Sequence, residues 1–171
     1  MKYVLVGFLV LVSVFGVVGL FGFLIPEKRT ANAEFTFKHN SEVIWLKMRD
    51  IQGQKSWRQQ LDSITILDNS LGKEAWIENS KSGASVKLRT TLFKEKNQWG
   101  METYDSPFQV KWLGELQALN QKETLVKFSY ESTVTNPYFR ILSLSFLNLE
   151  SMIQSYALEL KSELDKDPMK E

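Results

Sequence analysis

The chain has 171 residues, 43% of them apolar and 24% charged, with a formal charge of +1. It carries no cysteine and a single histidine, His39. Disulfide scaffolds, thiolate zinc sites, iron–sulfur clusters, cysteine nucleophiles and any site needing two histidines are thereby excluded. The near balance of 21 basic and 20 acidic residues leaves no electrostatic footprint for nucleic acid, and the length suits one ordinary domain plus an appendage.

The appendage comes first. From Tyr3 to Ile25 there are 23 residues without a charge, 18 of them apolar and four of them glycine. As a helix the run reaches roughly 34 Å, enough to cross a bilayer core of about 30 Å with modest tilt. The rival reading is a cleaved signal peptide, since Ala31-Asn32-Ala33 has a small-x-small form and Lys2 gives a charged start. A signal core usually runs about 7–15 residues, so the length favours an uncleaved, single-pass anchor over residues 1–25. The bilayer is then the first expected partner. Flanking charges, Lys2 on one side and Lys28 and Arg29 on the other, lean toward a cytoplasmic domain. Gly16, Gly19 and Gly22 form a small-residue stripe, though no GxxxG occurs in it.

Pro26 ends the run, and the chain beyond it has another character: with Lys2 set aside, 20 basic and 20 acidic residues remain, together with all five tryptophans. Residues 26–32 read as a short juxtamembrane linker, 33–165 as one domain and 166–171 as a polar tail. Ala33 to Phe37 alternates as a first strand. Asn40-Ser41 caps a short helix that stops near Asp50, and Ser56 to Gln60 forms a second, anchored by Trp57. Strand-like runs come next over 62–67, 73–78, 85–93 and 98–104, separated by polar turns. Two longer strands, 110–119 and 124–134, place Val110, Trp112, Gly114 and Leu116, and then Val126, Phe128 and Tyr130, on a covered face. Asn136-Pro137 opens a long terminal helix carrying Tyr138, Leu142, Leu149, Ile153, Tyr156, Leu160 and Leu164 at helical period. Its first half, apolar on nearly all sides, is expected to be the better buried.

These elements make an α+β fold in which a curved antiparallel sheet wraps the C-terminal helix, the only large element able to cover it. A cavity between sheet and helix results unless large side chains fill it.

The spacing Val43-Ile44-Trp45-(4)-Asp50-(6)-Trp57 resembles the opening pattern of the START-related SRPBCC superfamily, the polyketide cyclase/dehydrase and lipid-transport proteins. The strand around Trp112-Leu113-Gly114-Glu115-Leu116 resembles that family's later "GxWxYEL" strand, with Gly and Trp in a different order. Asn136-Pro137-Tyr138-Phe139-Arg140 is similar to its "NPxxR" start of the long helix. The resemblance covers about residues 33–160 and implies a helix-grip fold whose members enclose apolar ligands, some acting as carriers and others as cyclases or dehydratases. Membrane-anchored members with one N-terminal helix exist in the group. The resemblance implies a pocket but carries over no catalytic set and no cofactor.

Candidate ligand-binding residues are Trp112, Phe128, Tyr130, Tyr138, Arg140, Leu142 and Leu149, with Arg140 either reaching a ligand headgroup or holding a structural salt bridge. His39 reads as an exposed loop histidine, Asp62 and Asp68 as the two ends of one strand, and Lys94-Glu95-Lys96 as a solvated turn. No catalytic or metal residue is proposed from the sequence. The expected function is binding of a small hydrophobic or amphipathic ligand of the lipid or isoprenoid class, without a cofactor. The alternatives are a cyclase or dehydratase, with Tyr130 as the available acid–base group, and a structural module with a filled core. Oligomeric state stays open.

Overall fold

A computed structural model describes residues 2–166; the tail expected at 166–171 therefore lies, but for Lys166, outside the described residues. The chain begins with α1 (Lys2–Leu24), an apolar helix long enough to cross a bilayer. Its exposed large apolar side chains have between 37% and 93% of their surface open.

Strand β1 (Lys28–Phe37) starts five residues earlier than alternation alone suggested. What reads as linker is thus mostly strand. The reason is pairing: Lys28 through Phe37 run in unbroken antiparallel register with Thr133 through Thr124. Backbone bonding to a neighbour extends the strand beyond its apolar core. Helix α2 (Ser41–Arg49) has the expected cap, the Asn40 side chain accepting from the Val43 amide at 2.9 Å. The single turn α3 (Gln54–Trp57) comes after it.

Next come β2 (Leu61–Asp68), β3 (Ala75–Ser80), β4 (Ser85–Lys94), β5 (Gln98–Thr103), β6 (Gln109–Ala118) and β7 (Thr124–Thr133). All seven strands pair antiparallel in the order β1-β7-β6-β5-β4-β3-β2. Along β7 every second residue is buried, as period two requires of a sheet with one covered face.

The terminal helix is broken. Helix α4 (Pro137–Phe146) and helix α5 (Leu149–Leu164) are separated at Leu147-Asn148. Each has its own cap: Asn136 accepts from the Tyr138 and Phe139 amides, and Asn148 from the Ser151 amide. Asn148 is a second start signal inside a run whose apolar period looks continuous.

The two segments have different partners. Helix α5 buries Leu149, Ile153, Tyr156, Ala157, Leu160 and Leu164 against the sheet and the two short helices. Helix α4 packs on α1, and it buries only Arg140 and Ser143. The expectation that the first half is the better buried is therefore wrong. Its apolar character serves contact with α1 and not with the sheet.

The glycine stripe makes that contact possible. A Cβ on Gly22 would fall 2.2 Å from the Pro137 carbonyl oxygen, and one on Gly19 would fall 2.9 Å from the Tyr138 hydroxyl.

Candidate functional site

The space between sheet and α5 is filled by aromatic rings. Trp112 lies 5.3 Å from Trp99, 5.7 Å from Phe128 and 5.5 Å from Tyr156, centroid to centroid. Tyr156 also meets Trp57 at 5.4 Å and Phe128 at 5.5 Å. Gly114 makes room for this cluster, since a Cβ there would sit 2.8 Å from both Met48 and the Trp112 ring.

A charged pair runs into this aromatic interior. Arg58, just after α3, donates to Glu78 of β3 at 2.7 Å and to the Gln54 side chain at 2.9 Å. Trp76 donates its ring N–H to the same Glu78 oxygen at 3.2 Å, and Gln54 donates on to the Met48 carbonyl. The Arg58 guanidinium also lies 5.7 Å from the Tyr156 ring centre, within cation–π range. Burial alone would lower the Arg58 pKa, but the Glu78 carboxylate beside it outweighs that and leaves it raised.

Six buried side-chain polar atoms among the described residues have no hydrogen-bond partner; Arg49, Glu74 and Ser132 carry three, and the other three gather at Tyr156: its own hydroxyl and the ring N–H groups of Trp57 and Trp112, whose rings meet it. All three residues are at most 5% exposed. A buried donor without a partner costs about 1–3 kcal/mol, so three in one neighbourhood is an unusual concentration. Burial pushes the Tyr130 hydroxyl up to about 12, against the opposing pull of Arg58, and raises Tyr156 for the same reason. Both are neutral phenols at ordinary pH.

A mouth opens at the surface beside this interior. A pocket of about 440 Å³ lies between β1 (Arg29, Thr30, Ala31) and the α4–α5 junction (Leu144, Leu147, Asn148, Leu149, Glu150). Ala31 is the register partner of Tyr130, so the wall of the pocket adjoins a residue that feels the charge of the buried pair. Neither this pocket nor three other surface pockets, of about 410 to 540 Å³, is lined by Trp112, Phe128, Tyr130 or Tyr156.

The structure brings together four of the seven sequence candidates. Trp112, Phe128 and Tyr130 sit on the inner face of β6 and β7, and Leu149 opens α5 beside the mouth. The other three lie elsewhere. Tyr138 points along α1, donating its hydroxyl to the Phe15 carbonyl at 3.2 Å. Leu142 is 54% exposed on the outer side of α4.

Arg140 is a clamp. It donates to the carbonyls of Val134, Thr135 and Ile25 and pairs with Glu27 at 3.0 Å, tying the end of α1 to the start of α4. Four acceptors compensate a cation placed where the helix dipole opposes it. That arrangement is the structural alternative for Arg140; its side chain is fully engaged away from the interior.

Arg58, Glu78, Gln54, Trp57 and Tyr156 escape sequence reasoning as site residues. Their signal is faint, because Arg58 and Glu78 are 20 residues apart and on different elements. The clue available is a charged residue at an inward strand position: Glu78 lies two places from the buried Trp76 on β3. His39 is largely covered, its ring nitrogen 3.2 Å from Asp165. Asp62 and Asp68 lie near opposite ends of β2, as expected of strand ends. Among the described residues, no group of three His, Asp or Glu side chains gathers as a metal ion would require.

No protein-family model matches the sequence, and no curated protein resembles it in sequence. Solved structures do resemble it in shape. Truncated norcoclaurine synthase from Thalictrum flavum superposes with a TM-score of 0.68 at 8% identity, covering 82% of this chain and 95% of that one. The Zhui aromatase/cyclase from a Streptomyces species gives 0.67 at 11% identity, covering 81% and 94%. A START superfamily protein from Mycobacterium smegmatis gives 0.61 at 14% identity, covering 80% and 97%. These neighbours are START/SRPBCC-type folds, and the likeness establishes the helix-grip architecture: a seven-stranded antiparallel sheet closed by a C-terminal helix.

Proposed function

We propose that the protein is a membrane-anchored binding domain for an amphipathic ligand of the lipid or isoprenoid class, held between the sheet and α5 once the rings that fill this space part to admit it. One observation carries this reading: the partnerless donors of Trp57, Trp112 and Tyr156, whose rings meet at Tyr156 beside Arg58. Packing alone gives no reason to keep unpaired polar atoms in a dry aromatic core. A ligand oxygen accepting from them does. The tail of such a ligand fits the apolar part of the mouth, formed by Leu144, Leu147 and Leu149. The anchor supports the ligand class, because it raises the effective concentration of the domain at the bilayer.

The test is solvent extraction and mass spectrometry of the purified full chain. The expected result is a co-purifying amphiphile with an oxygen-bearing head, depleted severalfold by the double change Trp112→Phe and Tyr156→Phe. An empty protein whose double variant is equally or more stable overturns the reading in favour of a filled core. A cyclase-type activity in the same space is the second reading, favoured by the buried, neutral phenol of Tyr130 on the inner face of β7. It requires that Tyr130→Phe bind substrate but lose turnover.

A further inference from the structure

Helix α4 has an unusual surface. Two of its polar side chains are held on the inner side: Arg140 by Glu27 and three carbonyls, and Ser143 by accepting from Arg29 at 2.9 Å and donating to the Arg140 carbonyl at 2.7 Å, while Ser145 is exposed. The rest of its surface presents Leu142 and Phe146 on one flank and Leu144, about 200° round from Leu142, on the other, each 54–55% exposed, with no charged residue in Pro137–Phe146 other than the clamped Arg140. A helix facing water normally carries charge on that side.

The position of α4 explains the composition. It contacts α1 at Gly22 and Gly19, and the Tyr138 hydroxyl reaches the Phe15 carbonyl. Phe15 lies near the middle of Lys2–Leu24. Its distance from Leu24 is about 14 Å at helical rise. A phenol at that depth in hydrocarbon must find an acceptor, and here it takes a backbone carbonyl. Both ends of α4, through Phe139 and Phe146, touch Phe108 of the loop before β6 at ring separations of 5.5 and 4.9 Å. The helix therefore lies flat beneath that loop, at the end of the domain from which α1 emerges.

We infer that α4 is an interfacial helix whose exposed apolar side chains, Leu142 and Phe146 on one flank and Leu144 on the other, lie among lipid acyl chains. The domain is then seated on the bilayer by two helices, and the mouth between β1 and the α4–α5 junction opens at the lipid surface. This rests on the anchor reading of α1 and extends it: the exposed apolar surface of α4 continues that of α1, and one solvent covers both. A lipid molecule reaches the mouth without crossing water, since Leu144, exposed on its own flank of α4, also lines the pocket.

The absence of cysteine makes the test direct. Single variants Leu142→Cys, Leu144→Cys and Phe146→Cys of the full chain carry a nitroxide label in vesicles of phosphatidylcholine with a minority of phosphatidylglycerol. Collision with dissolved oxygen reports lipid, and collision with a water-soluble nickel chelate reports solvent. Leu11→Cys on α1 and Leu158→Cys on the exposed side of α5 are the lipid and water references. The expected result is an oxygen-to-nickel ratio at all three α4 positions severalfold above that of Leu158 and approaching that of Leu11. Water-like ratios on α4 with a lipid-like Leu11 overturn the interfacial helix and leave the anchor intact. A water-like Leu11 overturns the anchor itself. Labels on α4 shielded from both reagents, with dipolar broadening between chains, show a second copy covering the face and equally overturn the inference.

Discussion

Helices α4 and α5 come from one apolar run but serve opposite ends of the molecule. Helix α5 obeys the rule of a soluble core: it buries one face against the sheet and leaves Glu150, Leu158 and Lys161 outside. Helix α4 inverts that rule, with its cation inside and its leucines outside. The difference teaches that burial cannot be inferred from apolarity alone. What matters is which solvent an apolar face meets, and a chain carrying a span-length apolar helix has two candidates.

The comparison can be broken most severely at the α5 end. Glu78→Leu strands the Arg58 cation in an aromatic interior and is expected to cost about 3 kcal/mol, measured by urea denaturation in detergent. The double change Arg58→Met with Glu78→Leu restores most of that loss, because neither charge then remains to be compensated. A double variant as unstable as the single one refutes the pair as an isolated electrostatic unit.

Alkaline pH acts on the same interior. Tyr130 is neutral in both states below pH 10, and above it the unfolded chain ionises first, because burial holds the folded hydroxyl at about 12. Stability therefore falls between pH 10 and 12, by about 3 kcal/mol for this group. Tyr130→Phe should flatten that part of the stability curve. Tyr156 works in the same direction, so some slope persists in the single variant.

The α4 end responds more gently. Gly22→Ala forces a methyl against the Pro137 carbonyl and is expected to cost about 1–3 kcal/mol in the α1–α4 contact. A disulfide between cysteines placed in α1 and α4 should then form more slowly, while urea unfolding of the sheet domain changes little. The smallest effect sharpens the boundary between the two regions: Asn148→Ala removes the α5 cap and costs about 1 kcal/mol. Amide exchange should rise at Ser151 and its neighbours and stay unchanged around Asn136.

Much of the fold was legible because its signals are local. Two caps, Asn40 and Asn136, act on amides within three residues, and the alternation along Val110–Leu116 and Val126–Tyr130 is a property of each strand by itself. The site was legible only in part. Trp112, Phe128, Tyr130 and Leu149 emerge from period, whereas Arg140, Tyr138 and Leu142 belong to the interior only on the premise of one unbroken helix. Asn148 breaks that premise, and a cap within an apolar run is easily read as an ordinary polar position.

The sequence by itself determined the length and apolarity of α1, the succession of the strands along the chain, the inner faces of β6 and β7 and the helix starts at Asn40 and Asn136, since each depends on residues close along the chain. Only the tertiary structure decided that Arg58 meets Glu78, that Gly19 and Gly22 receive α4, and that Arg140 closes the joint between Ile25 and Val134. The separations are 20 positions for Arg58 and Glu78 and 115 for Ile25 and Arg140. Nothing in a local period encodes such pairings; they exist because the sheet and its helices bring particular surfaces together.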